Sequence, residues 1–291
     1  MKTRLRIQFE NYLTLERCSE RTIESYVQAI QKLAVHYGKS PEVLTNKQVQ
    51  DYLLYLIRER GLAWNSCNVA ISALNRFYRG FLKHKDCDFY IPPRPRQRRL
   101  PEVLSREEVL ALIEAGKDIR HKALLSLTYG SGLRVGELLR LTDKHLESRR
   151  MLVRVEQGKG RKDRYTLLSA KSLEYLRLYW QAFQPQSYLF FGRFKDMPMS
   201  ATTAQRIYYR AKKAAGITRG KGIHTLRHCF ATHLLEQGIN IYHIKRFLGH
   251  ASIQTTMVYF HVQPDRHLSI QSPLDISDRQ QSGGCHESTV L

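Results

Sequence analysis

The sequence predicts a mainly α-helical chain of two domains, the second carrying a small β-hairpin, for an α+β fold. Three observations predict it. Apolar residues recur at helical spacing through most of the 291 residues. Alternating β-rich words occur only at 151–156 and 164–168, either side of one Gly-flanked turn. A run of four prolines and four arginines at 92–101, PPRPRQRRLP, breaks the helical pattern and divides the chain.

The elements follow in order. Leu5, Phe9, Tyr12 and Leu13 form an opening helical stripe. Ser19 is placed to cap a helix bearing Ile23, Tyr26, Ile30, Leu33 and Tyr37. Thr45 and Gln48 make a capping box ahead of Val49, Tyr52, Leu53 and Leu56, and Gly61 ends that helix. Ser66 is the expected cap of a fourth helix, with Leu74, Phe77, Tyr78 and Phe81. Four such helices by about residue 84 make a small bundle.

The expected division is therefore a helical domain at 1–90, a basic linker at 91–101, a second domain at 102–270 and a polar tail at 271–291. Ser105 and Glu108 form the capping box that opens the second domain. Helical stripes follow around Val109–Ile113, Lys122–Tyr129 and Val135–Leu141, then the hairpin. Further helices are expected near 170–182, 201–214, 225–236 and 241–248, with a short one after Ser252.

Charge narrows the function. Lys and Arg total 47 against 26 acidic residues, a net of +21. That is +9 over residues 1–100, +14 over 101–270 and −2 in the tail. Two cationic lobes imply a polyanionic partner, most naturally a clamp around duplex DNA. The five cysteines are scattered without any C-x-x-C, which disfavours a zinc cluster or disulfide framework and fits a reducing compartment. No apolar run approaches the roughly 18 residues of a membrane span, and the first residues lack a signal-peptide core. The expected location is cytoplasmic, associated with the nucleoid, with no membrane partner.

The chemistry must come from side chains. There is no P-loop, Rossmann fingerprint or H-E-x-x-H. His224 and His228 have metal-ligand spacing, but no acidic third ligand stands near them, so no metal or other cofactor is expected. Four segments remain. GSGLRVGELLRL puts Arg134 beside a Gly-rich turn at a helix start, a position that suits an anion. QGKGRKD sets Lys159 between two glycines at the hairpin tip. HTLRH brings His224 and Arg227 to one side of a helical turn. LGH ends at His250, nine residues before Tyr259. Taken singly, each is equally well a solvated or structural residue, and with 16 tyrosines in the chain Tyr259 has no claim of its own.

Their order changes that. GLRVGELLRL, GKGRKDR, GIHTLRHCFATHLLEQG and IKRFLGHASIQTTMVY together resemble the tyrosine recombinase (phage integrase-like) family, over about residues 3–262. The resemblance implies a helical core-type DNA-binding module followed by a tyrosine recombinase catalytic domain. It also implies roles. Arg134 and Arg227 would hold the scissile phosphate, which suits bidentate guanidinium pairing. Tyr259 would be the nucleophile that forms a 3′-phosphotyrosyl bond. Lys159 would protonate the leaving 5′-oxygen, His224 would assist proton transfer from the tyrosine, and His250 would contact the phosphate. Arg94, Arg96, Arg98 and Arg99 of the linker, with Arg161 and Lys162 of the hairpin, are candidate DNA contacts.

The implied reaction conserves phosphodiester bonds, so it needs neither ATP nor metal. Gly136 and Cys229 stand where the family often has Ser, and neither change removes a catalytic group. The short lead into the helical module, and the compact stretch from Lys159 to His224, are closest to Xer-like or mobile-element recombinases. The expected partner is double-stranded DNA with specific recombination sites, engaged by a homo-tetramer on paired sites in integration, excision or resolution. A type IB topoisomerase-like enzyme, sharing the nucleophile but acting as a monomer, is the alternative. A catalytically silent DNA-binding protein is a third, against which the full R-K-H-R-H-Y set argues.

Overall fold

The computed structural model describes residues 3–84, 86–87, 89–91, 102–156 and 163–259. The linker arginines Arg94, Arg96, Arg98 and Arg99, and Lys159, Arg161 and Lys162 of the hairpin tip, lie outside the described residues. The chain divides into two compact units, residues 1–98 and 99–291.

The first unit is a bundle of α1 (Arg4–Leu15), α2 (Glu20–Tyr37), α3 (Asn46–Arg58) and α4 (Trp64–Asn75), the last continued by a π-helical turn over Arg76–Phe81. Ser19 caps α2 through Thr22 N–H, and Thr45 and Gln48 form the expected capping box on α3. Ser66 does not cap α4. The helix begins at Trp64 behind Ala63, whose carbonyl already accepts the Ser66 N–H at 2.8 Å. Ser66 therefore sits inside the first turn. The core joins Phe9, Leu13, Leu33, Leu53, Leu74 and Phe77, with Phe9 and Phe77 edge to face at 5.0 Å. Tyr78, fully buried, donates its hydroxyl proton to the Pro41 carbonyl at 2.6 Å.

The second unit is built around α6 (Ile119–Ser131) and α10 (His224–Glu236), which pack together. Both are buried nearly all round, so neither is amphipathic. α5 (Arg106–Glu114), α8 (Ala170–Phe183) and α9 (Ala201–Ala214) cover them. Ser105 caps α5 in a capping box with Glu108. A single turn, α7 (Val135–Leu138), stands where a longer helix to Leu141 was expected. The sheet is antiparallel in the order β1 (Leu146–Glu147), β2 (Leu152–Val155), β3 (Arg164–Leu167), with Val153 opposite Thr166. β1 adds to the hairpin that the sequence predicts. α11 (Ile241–Leu248) and α12 (Gln254–Met257) complete the unit, α11 resting on β3.

Candidate active site

The site forms where α7, β3, α10 and the end of α11 meet. Its anchor is a carboxylate. Glu137, with a side chain only 3% exposed, takes both outer nitrogens of Arg164, at 2.9 and 2.7 Å. It also accepts the Arg134 backbone N–H at 2.8 Å and Arg134 Nη1 at 2.7 Å, with Arg227 Nη1 at 3.9 Å. Burial alone would raise this carboxyl; the Arg164 fork and then Arg134 override it and bring its pKa to about 2. Three guanidiniums around one carboxylate leave the pocket cationic.

The same three arginines converge on three consecutive carbonyls. Arg164 Nε donates to Phe247 O at 2.8 Å, Arg227 Nη2 to Leu248 O at 2.7 Å, and Arg134 Nη2 to Gly249 O at 3.4 Å. These are the orphan carbonyls of the α11 terminus, the negative end of its dipole, and guanidiniums satisfy them. Gly249 turns the chain there at φ +62°, and an added Cβ would meet Arg164 Cδ at 2.7 Å. His250 follows at once, its Nδ1 2.8 Å from the Thr256 hydroxyl. Burial first, then Arg227 and Arg134, lowers the His250 pKa to about 3, so its ring is neutral.

Arg227 is 5% exposed and also donates to the Gly132 carbonyl at 2.6 Å. Burial lowers its pKa to about 9, the Arg134 charge adding to the effect, and it remains a cation at neutral pH. Gly132 is the αL cap of α6 at φ +59°, where a Cβ would lie 2.3 Å from Phe230. Arg134, with 24% of its side chain exposed, and exposed His224 face outward. Partial burial, then Arg227 and Arg134, lowers the His224 pKa. Because α7 is a single turn, the anion-binding capacity at Arg134 rests on its guanidinium rather than on a helix terminus.

Tyr259 belongs to a buried cluster with Phe230, Ala231, Leu235, Ile244 and Leu248 and is 4% exposed. Its hydroxyl lies 3.0 Å from His228 Nδ1. His228, not His224, is the residue brought to the phenol. Of the sequence-derived residues, Arg134, His224, Arg227, His250 and Tyr259 share this region of the fold. Glu137, Arg164 and His228 complete it and were not singled out for these roles. The available signals are Glu137 three residues after Arg134, and His228 four after His224, a spacing that the sequence offers only as a metal-ligand pattern.

Comparison with known proteins decides the family. Residues 102–266 match the phage integrase family and residues 5–86 match the phage integrase N-terminal SAM-like domain. The chain belongs to the phage integrase family. It is a tyrosine-type site-specific recombinase, an enzyme that breaks and rejoins DNA strands. A tyrosine recombinase of Thermosipho africanus is 33% identical over 267 residues, covering 87% of this chain and 93% of its own. The solved structure of XerA recombinase is 28% identical with a TM-score of 0.52, covering 98% of this chain and all of its own. A lambda integrase tetramer bound to a Holliday junction shares the fold at a TM-score of 0.68 and 21% identity, covering 88% of this chain and 76% of its own. The integrase fold thus accounts for both units, and the arginine cluster lies within the part matched to the integrase family itself.

Among the described residues, no group of three or more His, Cys, Asp or Glu side chains is placed to hold a metal ion. Among them, too, no helix is long and apolar enough to cross a membrane.

Proposed function

We propose that this integrase exchanges strands between two specific duplex sites, working as a homo-tetramer on the paired DNA. The observation that carries the reading is the convergence of Arg134, Arg164 and Arg227 on the carbonyls of residues 247–249, with His250 next in the chain and Tyr259 near enough to feel the Arg227 and Arg134 charges. Arg134 and Arg227 take the nonbridging oxygens of the scissile phosphate, with His250 beside them. The Tyr259 oxygen gives up its proton to solvent as it attacks phosphorus, the bond to the 5′-oxygen breaks, and a 3′-phosphotyrosyl link forms. Lys159 gives the departing oxygen its proton and His224 assists proton transfer at the phosphate. A second 5′-hydroxyl then displaces the tyrosine. Guanidiniums supply the charge stabilisation, and the bond energy is kept in the phosphotyrosine, so ATP and metal have no task to perform.

In this reading 1–90 is a core-type DNA-binding domain, 91–101 a basic linker, 102–270 the catalytic domain and 271–291 a polar tail. Arg94, Arg96, Arg98, Arg99, Arg161 and Lys162 contact the DNA backbone, and the protein works in the cytoplasm on the nucleoid. The tetramer draws support from the lambda integrase assembly on a Holliday junction. Two plasmids carrying the recombination site, against one supercoiled plasmid lacking it, test the function. Recombinant products only from the paired sites are expected. Relaxation of the site-free plasmid without strand exchange would instead make the enzyme a type IB topoisomerase-like protein.

A further inference from the structure

We propose that His228 is a positioning residue for the Tyr259 hydroxyl, holding it through a hydrogen bond that exists only in the uncut state. The inference rests on the reading of Tyr259 as the nucleophile. His228 lies on α10 one residue after Arg227, so the helix that supplies a phosphate ligand also supplies the partner of the phenol. The rings are 5.8 Å apart between centroids and tilted by 51°. Tyr259 is almost wholly buried, so where its proton points has an energetic consequence.

The polarity of this bond follows from its surroundings. The titratable and charged groups near the pair are His224, Arg227 and Cys229 on α10, His250 after α11, and Arg134 at the start of α7. Burial first, then His224 and Arg227, lowers the His228 pKa to about 4, so the ring is neutral at physiological pH. Burial raises the Tyr259 pKa, and the phenol keeps its proton. Among the described residues the hydroxyl has this one hydrogen bond. A phenol proton directed away from Nδ1 would therefore be unpaired in a buried pocket. The tyrosine donates and the imidazole accepts, with its own proton on Nε2.

Strand cleavage removes this bond. As the tyrosine oxygen bonds to phosphorus, its proton leaves and the 5′-oxygen, released from phosphorus, gains one. The phosphotyrosyl oxygen then has no proton to donate to Nδ1. The hydrogen bond stabilises only the uncut complex and biases the cleavage equilibrium toward intact DNA. A protein with few covalent adducts at rest leaves few breaks in the duplex it occupies.

The test measures the equilibrium fraction of covalent adduct on an intact duplex carrying the recombination site, trapped with detergent, for parent, H228F, H228Q and Y259F. H228F, which removes the acceptor, is expected to raise the adduct-to-uncut ratio by about five- to a hundredfold, the range an unpaired buried hydroxyl commands. H228Q, which restores an acceptor oxygen, is expected to return the ratio toward the parent value. A ratio in H228F equal to or below the parent's, with site binding and melting unchanged, would overturn the proposal. A cleavage rate lowered in both variants would do so too, making His228 a base. Nitrogen-15 NMR of the labelled parent is independent of any variant's folding: an unprotonated Nδ1 at pH 7 supports the bond, and a protonated Nδ1 overturns it. Y259F should form no adduct. An adduct there would sink the nucleophile assignment, a separate result from any change in the His228 variants.

Discussion

Glu137 shows how a single side chain organises the site. Its carboxylate receives Arg164 and Arg134 directly and faces Arg227, so removing its charge leaves three buried or half-buried guanidiniums facing one another. Glu137→Gln is expected to destabilise the protein by about 3–5 kcal/mol, the usual cost of breaking a buried ion pair from one side, measured by urea unfolding. The pH dependence has a definite sign. The folded pKa, about 2, lies below the ordinary 4.5, so this stabilisation is complete above pH 4.5 and is lost as pH falls through about 2. The Gln variant should lack that acid limb. Lys159, outside the described residues, has its proposed role tested by chemistry. An alkoxide leaves poorly without a proton, so Lys159→Ala should slow cleavage by about 10²–10⁴-fold. Sulfur in place of the 5′-bridging oxygen should restore the rate, because a thiolate leaves unprotonated. Arg134→Ala should show no such rescue. Failure of sulfur to rescue Lys159→Ala would reduce the lysine to a groove contact.

At the scale of elements, legibility tracked how local each signal is. Capping boxes at Thr45 and Ser105 need only residues three apart, and both are present as read. α8, α9, α10 and α11 fall within a residue of their expected bounds; in α8, α9 and α11 a regular apolar face marks the helix. β1, two residues long, is too short to carry a period, and its existence depends on pairing with β2. α7 stops after one turn although its apolar pattern runs on: the Arg140 and Leu141 N–H groups bond three residues back, to Glu137 and Leu138, and the Leu141 carbonyl receives the Leu189 N–H at 2.7 Å. Arg164 was invisible as a site residue for the same reason: its partners, Glu137 and Phe247, lie 27 and 83 residues away. The α6 cap is where an element holds the chemistry in place. Gly132→Ala forces a side chain into the αL region and against the Phe230 ring, at a cost of about 2–4 kcal/mol. Because the Gly132 carbonyl holds Arg227, a melting shift accompanied by lost cleavage is expected. Unchanged melting would show that the α6–α10 contact yields easily.

For the whole molecule, the sequence resolved the family because four motifs in fixed order run through the second unit, from Gly132 to Tyr259, and no rearrangement of loops disturbs that order. It did not resolve the hydrogen-bond map of the site, which exists only once α7, β3, α10 and α11 are packed. The +21 net charge acts at this scale. Affinity for DNA should fall steeply and linearly with the logarithm of salt concentration, with each phosphate contact adding roughly 0.9 to the slope. Replacing Arg94, Arg96, Arg98 and Arg99 together by Ala should flatten that slope by up to about four contacts' worth, with site preference retained. A slope unaffected by the fourfold change would make the linker a tether that touches no phosphate.

The role of Tyr259 as the residue that holds broken DNA is open to one direct measurement. The covalent complex is trapped on a nicked duplex carrying the site, both components are digested, and the nucleotide-bearing peptide is sequenced by mass spectrometry. A 3′-linked nucleotide on Tyr259 is expected. A nucleotide on another tyrosine, with exposed Tyr242 the first to inspect, would contradict it.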